Sequence, residues 1–263
     1  MKFFAALLFP LMLLAQPSRF GLPACAGPER ELASHSYFLV CYDSARKVPA
    51  WTAHEIAPHR PPAYTARPRY FRQDTAARNS DYRGSGYSRG HLVPAEDLAW
   101  SDEAMRSTYV LSNVTPQLQG VNAGVWRELE IAVRTIANRS EATYVITGPI
   151  FASPEVETIG EGQVAVPTHT FKVVLTLEEG CLSMFAAIVP NAASARGRSL
   201  EEFTTTVEDV ERQTGLGFFP AAAGRLLARP YLILVVWCAT NCHLPLRLTH
   251  VCIAITTSSN FPA

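Results

Sequence analysis

One amphipathic stretch constrains this chain more than any other. Between Asn122 and Asn138 the apolar residues Val125, Leu129, Ala132, Val133 and Ile136 recur at helical spacing, so one arc of a long helix belongs to the core. Glu130 and Arg134 project from the flank of that arc, where a cleft bordered by the helix would meet them. On a merely solvated face the same two residues form an ordinary i,i+4 pair, worth roughly tenths of a kcal/mol.

Around this helix the chain reads largely as strands. Residues 36–43, with Tyr37, Phe38, Leu39 and Val40, favour β structure, and residues 49–56 return after a turn at 43–47. His54 lies on the return strand, where it reads as a strand-face histidine rather than a ligand. A further strand at 143–147 is expected to end at Gly148-Pro149. Residues 164–177 and 182–189 form a hairpin across Glu178-Glu179-Gly180-Cys181, with His169 and Lys172 on a solvated face. Residues 57–77, rich in Pro and Arg, read as a long loop. Ser101 should cap a short helix to Thr108, followed by a strand at Tyr109-Val110-Leu111. Ser199-Leu200-Glu201-Glu202 is a capping box opening a helix that Gly215 stops.

A chain of 263 residues can bury one sizeable core. Its 23 Lys+Arg balance 23 Asp+Glu, which argues against gripping nucleic acid by bulk charge but leaves room for a local basic cleft. Lys2 followed by the apolar run Phe3–Ala15 reads as an export signal, too short to span a bilayer, with cleavage expected between Ala15 and Ala26. Six cysteines in an exported chain point to disulfides; Cys238, Cys242 and His243 match no zinc-finger spacing. Residues 225–263 contain no Asp or Glu and read as an atypical tail outside the core, with no segment suited to a stable membrane span.

The chemistry concentrates in two blocks. The first is Ser88-Arg89-Gly90-His91, preceded by Gly84 and Gly86 and followed by Pro94. Arg89 offers a fork suited to phosphate, and His91 is the side chain whose ordinary pKa suits proton transfer near neutrality. Gly90 is expected to let the backbone turn tightly between them. The second block is Ser112-Asn113-Val114-Thr115-Pro116-Gln117, then Asn122-Ala123-Gly124-Val125-Trp126-Arg127-Glu128-Leu129-Glu130 with Arg134 four residues on. Asn113-Val114-Thr115 and Asn138-Arg139-Ser140 have the form of glycosylation triplets, the first inside the candidate site.

Together the two blocks resemble the DNA/RNA non-specific endonuclease family, whose signature reads Asp-Arg-Gly-His, Ser-Asn-x-x-Pro-Gln and Asn-x-Gly-x-Trp-x-x-Leu-Glu. The resemblance runs from about Tyr37 to Phe219, and Ser88 stands where the family has Asp. It implies an α+β fold of the ββα-metal type: a central antiparallel sheet with flanking helices and long loops. With the apolar leader and the atypical tail, the chain divides into a signal at 1–20, the nuclease domain at 30–222 and the tail at 223–263. By resemblance, His91 is the general base. Asn122 is the direct ligand of one Mg²⁺, with Mn²⁺ as a substitute, and Glu130 holds one of the waters around it. Arg89, Arg134 and Arg69 neutralise phosphate, and Asn113 supports the site by hydrogen bonds. The expected partners are DNA and RNA, read through their backbones with little sequence preference. The competing reading is a catalytically impaired relative that only binds nucleic acid, with Ser88 as its sign; an enzyme on another phosphodiester is a third.

Overall fold

Alternating apolar residues over 169–190 build the longest hairpin of the protein, and the sheet grows outward from it. The structure is a computed structural model that describes residues 17–222, apart from 59, 61, 62, 64, 65 and 154. The apolar leader, the tail and Cys238, Cys242, His243 and Cys252 lie outside the described residues.

The strands are β1 (Arg30–Ser34), β2 (Phe38–Asp43), β3 (Val48–Ile56), β4 (Tyr87–His91), β5 (Val114–Leu118), β6 (Ala142–Ile150), β7 (Thr158–Ile159), β8 (Val164–Ala165), β9 (His169–Glu178), β10 (Cys181–Pro190) and β11 (Thr204–Thr205). The helices are α1 (Asp102–Ser107), α2 (Gln119–Asn122), α3 (Val125–Ala137) and α4 (Val207–Thr214). Seven strands form one sheet in the order β1-β2-β3-β6-β9-β10-β11, with every neighbouring pair antiparallel. Strands β4 and β5 pair separately, as do β7 and β8. This is the α+β arrangement that the resemblance implied.

Both faces of the central sheet are covered, which is why all nine residues of β6 are buried. On one face the arc of α3, with Val125, Leu129, Val133 and Ile136, packs on Val145, Val174 and Phe185. On the other, Tyr144, Ile146, Val173 and Leu175 meet Phe20, Val210, Phe218 and Phe219. Phe20 is buried and its carbonyl accepts from Ala221 N at 3.0 Å, so the packed chain reaches upstream of residue 30. A disulfide joins Cys25 to Cys41 on β2. Among the described residues, no helix is long and apolar enough to cross a membrane.

Several local expectations change. Lys172 is not on a solvated face. It sits in β9, between β6 and β10, under α3, and is only 1% exposed. Its Nζ donates to Thr147 Oγ1 at 2.9 Å and lies 4.9 Å from the Trp126 ring. Strand β6 runs through Gly148-Pro149, because Gly148 fits where a Cβ would lie 2.5 Å from the Ala50 carbonyl oxygen. Instead of a strand at 109–111 there is one bridge, Arg72 to Val110, and a turn of 3₁₀ helix. The capping box at Ser199 opens only a 3₁₀ turn, Leu200–Phe203; Thr206 then caps α4, whose end is marked by Gly215 at φ 69°.

Candidate active site

The Arg-Gly-His triplet is a strand rather than a loop. Residues Tyr87–His91 pair antiparallel with Val114–Leu118, with Gly90 opposite Thr115. Gly90 is needed for space, not for a turn. A Cβ there would lie 2.5 Å from Gln117 Oε1 and 2.8 Å from Gln117 Cβ. Strand alternation then puts Arg89 and His91 on one face and Ser88 on the other. Ser88 Oγ hydrogen-bonds the Gln119 side chain, while Arg89 and His91 both lie against Phe71.

His91 is wedged between two rings, Phe71 and Tyr109, each 4.9 Å away between centroids. Its Nε2 is shielded and has no hydrogen-bond partner among the described residues. Burial, with the charges of Arg67 and Arg89, pushes its pKa down to about 3. The imidazole is therefore neutral, with proton-accepting capacity, across the physiological range.

Asn113 lies immediately before β5 and is fully buried, ruling out a sugar at its triplet. Its Oδ1 accepts from Val93 N, and its Nδ2 donates to the carbonyls of Val93 and Thr108, each at 3.0 Å. Asn113 thus fixes the chain that leaves His91, and all three of its contacts are to backbone.

A cavity of about 470 Å³ opens beside His91, with Arg67, Tyr109, Asn122, Arg127, Glu130 and Arg134 in its wall. Asn122 arrives there because α2 stops after four residues and α3 starts afresh at Val125. Gly124 makes the break: its φ of −102° and ψ of −119° fit no helix, and a Cβ would lie 2.5 Å from the Gly120 carbonyl oxygen. Further along α3, Glu130 and Arg134, about one turn apart, line the same space.

Burial pushes the Glu130 carboxyl up to about 7, with Asp97 adding to the rise and Lys172 and Arg134 opposing it. Arg134 Nη1 donates to Asp97 Oδ1 at 2.8 Å, and His54 Nε2 meets Asp97 Oδ2 at 2.9 Å. Burial acts to raise the Asp97 carboxyl, but the His54 hydrogen bond and the charges around it outweigh this and hold it below the usual carboxylate range. His54 is fully buried, which keeps it neutral and makes Nε2–H the donor.

Arg69 is exposed and is not part of this wall; Arg67, two residues earlier, is, paired with Glu96. Arg127 also lines the cavity. Sequence reasoning singled out neither, nor Asp97. The alternating arginines at 67 and 69 offer no means of choosing between them. Asp97 carried one usable signal, a carboxylate six residues after His91 in a run broken only by its neighbour Glu96.

The donor set bears on the metal. Asn122 lines the cavity, and its side chain has no hydrogen-bond partner among the described residues. No group of three or more His, Cys, Asp or Glu that could hold a metal occurs among the described residues. One hard amide oxygen with a carboxylate two turns away fits a divalent cation that keeps most of its water, not a fully protein-ligated ion.

A neutral histidine on a strand, facing an amide oxygen and several guanidiniums, is the equipment of a metal-dependent nuclease. The chain belongs to the DNA/RNA non-specific endonuclease family, whose profile matches residues 16–224. It is 36% identical over 231 residues to the mitochondrial endonuclease G of Homo sapiens, covering 80% of this chain and 76% of that protein. It is also 36% identical over 223 residues to the mitochondrial nuclease EXOG of Danio rerio, covering 77% of this chain and 64% of that relative's length. A chain in the crystal structure of the EndoG/EndoGI complex superposes with a TM-score of 0.75 at 30% identity, over 82% of this chain and 95% of that one. The protein is accordingly a hydrolytic nuclease of the endonuclease G type.

Proposed function

We propose that this is an exported, Mg²⁺-dependent endonuclease that cleaves DNA and RNA with little sequence preference, using His91 as general base. The observation that carries the reading is a neutral His91 on the wall shared with Asn122, Glu130 and Arg134. The base takes a proton from the attacking water, which needs an unprotonated, unengaged nitrogen. Arg67, Arg127 and Arg134 neutralise phosphate charge as it builds toward the transition state. Asp97 holds Arg134 in place for this task. Glu130, once ionised, orients water within the cavity. A divalent cation on Asn122, when bound, supplies positive charge for the phosphate and the departing oxygen. None of these groups reads a base edge, which accounts for the lack of sequence preference.

The impaired-relative reading rests on Ser88 alone. Ser88 hydrogen-bonds the Gln119 side chain and is not in the wall that holds Asn122, Glu130 and Arg134, which favours an active enzyme. Export is supported by the apolar run after Lys2 and by the Cys25–Cys41 disulfide, a bond that persists in oxidising compartments. Cleavage of plasmid DNA and of RNA in Mg²⁺, with and without EDTA, tests the whole. Cleavage of both that EDTA abolishes is expected; binding without cleavage would leave the impaired relative.

A further inference from the structure

Asn191 takes part in no step described so far, yet its side chain is spent on backbone that leads to Asn122. It stands one residue beyond β10, where its own N–H donates to the Thr168 carbonyl at 2.8 Å and extends the central hairpin. Its side chain reaches from that hairpin to another strand. Oδ1 accepts from Leu118 N at 2.8 Å, and Nδ2 donates to the carbonyls of Pro116 and Pro167, each at 3.1 Å. We propose that Asn191 is a positioning residue for the cation site: it fixes the corner between β5 and α2, so that Asn122 is presented in one place. The proposal rests on the reading of Asn122 as the protein ligand of a divalent cation.

Three observations carry it. The first is how the amide meets β5. A carbonyl and the N–H two residues on share one edge of a strand, so Asn191 pairs with Pro116 and Leu118 as the peptide group of a neighbouring strand would. Pro116 has no N–H to offer a real strand, and a single amide matches this acceptor and donor. The second is the weakness of α2. It has four residues, no side chain caps its first turn, and so short a helix does not hold itself. Its place is therefore set by what grips its ends: Gly124 after Asn122, and Asn191 on Leu118, the residue before it. The third is that the chain following Asn191 continues the grip. The stem of Arg196 passes over Gly120, where an added Cβ would lie 3.6 Å from its Cδ, and Ala195 shares the core cluster under α3 with Val121. A cation that keeps most of its water leans on one protein ligand, so a displaced Asn122 has no second ligand to make good the loss.

The test is titration with Mn²⁺ in the absence of nucleic acid, the free ion being followed by electron paramagnetic resonance. It compares wild type, Asn122→Ala, Asn191→Ala and Ser140→Ala. Ser140 is the control: it is buried, and its hydroxyl donates to the Ile136 carbonyl and to Glu178 beyond the other end of α3, so its loss weakens the fold away from α2. Wild type should bind Mn²⁺ and Asn122→Ala should not. Asn191→Ala should bind it about tenfold or more weakly, the scale for losing a partner that orients a metal ligand. Ser140→Ala should match wild type. Hydrogen exchange at amides 118–122 should quicken in Asn191→Ala and not in Ser140→Ala. Asn191 is half-buried, so water can reach the groups it leaves behind. Should Asn191→Ala still yield no folded protein, Asn191→Ser, which keeps one hydroxyl for this backbone, is judged by the same titration. Wild-type affinity in the Asn191 variant, or an equal loss in Ser140→Ala, would overturn the positioning role. A wild type that binds no Mn²⁺, or that binds it equally as Asn122→Ala, refutes the cation reading itself, and the positioning role falls with it.

Discussion

Arg134 donates to Asp97 at 2.8 Å, so the arginine that faces the cavity beside His91 is anchored from behind by a buried carboxylate. The second oxygen of that carboxylate is taken by His54, which is itself fully enclosed beneath α3. The guanidinium is thereby oriented before substrate arrives, and its charge is shared with a partner that cannot escape to water. Removing one member strands the other, the costly way to disturb a buried pair.

Asp97→Asn should therefore damage stability and phosphate binding together. Urea unfolding should register a loss of about 3 kcal/mol with an unchanged m-value. The KM for DNA should rise, since Arg134 is no longer held. Arg134→Ala should instead weaken DNA binding and flatten its salt dependence, as one phosphate contact is lost. If Asp97→Asn unfolds at the wild-type urea concentration, the anchoring role is wrong.

The pH dependence of activity should belong to Glu130 rather than to His91. His91, held down at about 3, stays neutral over the working range, whereas Glu130, pushed up to about 7 by burial, loses its charge as pH falls through neutrality. The profile of kcat/KM should show an acidic limb near pH 7 that disappears in Glu130→Gln, leaving a lower but flat rate. A limb that persists in Glu130→Gln would assign it to another group.

The same shift makes a stability statement with a definite sign. Glu130 titrates higher in the folded chain than in the unfolded one, so its contribution is full below about pH 4 and is lost as pH rises through about 7. Metal-free Glu130→Gln should thus equal wild type in stability near pH 4 and exceed it at pH 8. Denaturant titrations at the two values check this, and an advantage that appears only at low pH would reverse the account.

Ser88 stands where the family signature carries Asp, and its hydroxyl is engaged with Gln119 at the foot of α2, the helix that ends in Asn122. A carboxylate here would add negative charge near the proposed cation site at Asn122. Ser88→Asp should lower the Mg²⁺ concentration giving half-maximal cleavage. A requirement that is unchanged or higher would refute the idea.

If the chain is exported as proposed, Phe20 constrains its processing. It is buried against Tyr144 with ring centroids 5.3 Å apart, so a cut beyond it would remove a core side chain. N-terminal sequencing of the mature protein should find a start at or before Phe20. A start at Gly21 or later would mean that the domain folds without this contact.

The residues proposed to do the chemistry were the legible part of the sequence. His91, Asn122, Glu130 and Arg134 are polar side chains at spacings that no core needs, and the apolar arc of α3 announced which of its sides remained for the cleft. The arrangement behind them was not legible. His54 and Lys172 alternate with apolar neighbours as solvent-facing residues would, and only the long-range placing of α3 over β3 and β9 encloses them. The strand at 87–91 was hidden for a related reason. Its glycine looked like a turn residue, while its real constraint is Gln117 on a strand nearly thirty residues away in sequence. Arg67 and Arg69 differ only in how the loop is held, which local sequence does not encode.

The most direct test of the central claim is cleavage by His91→Ala alongside its Mg²⁺-supported DNA binding. The substitution removes the base while Asn122 and the arginines remain. Cleavage should fall by at least ~10²-fold, the usual scale for a general base, with binding preserved. Near-normal cleavage by His91→Ala, in a preparation free of contaminating nuclease, would contradict the assignment.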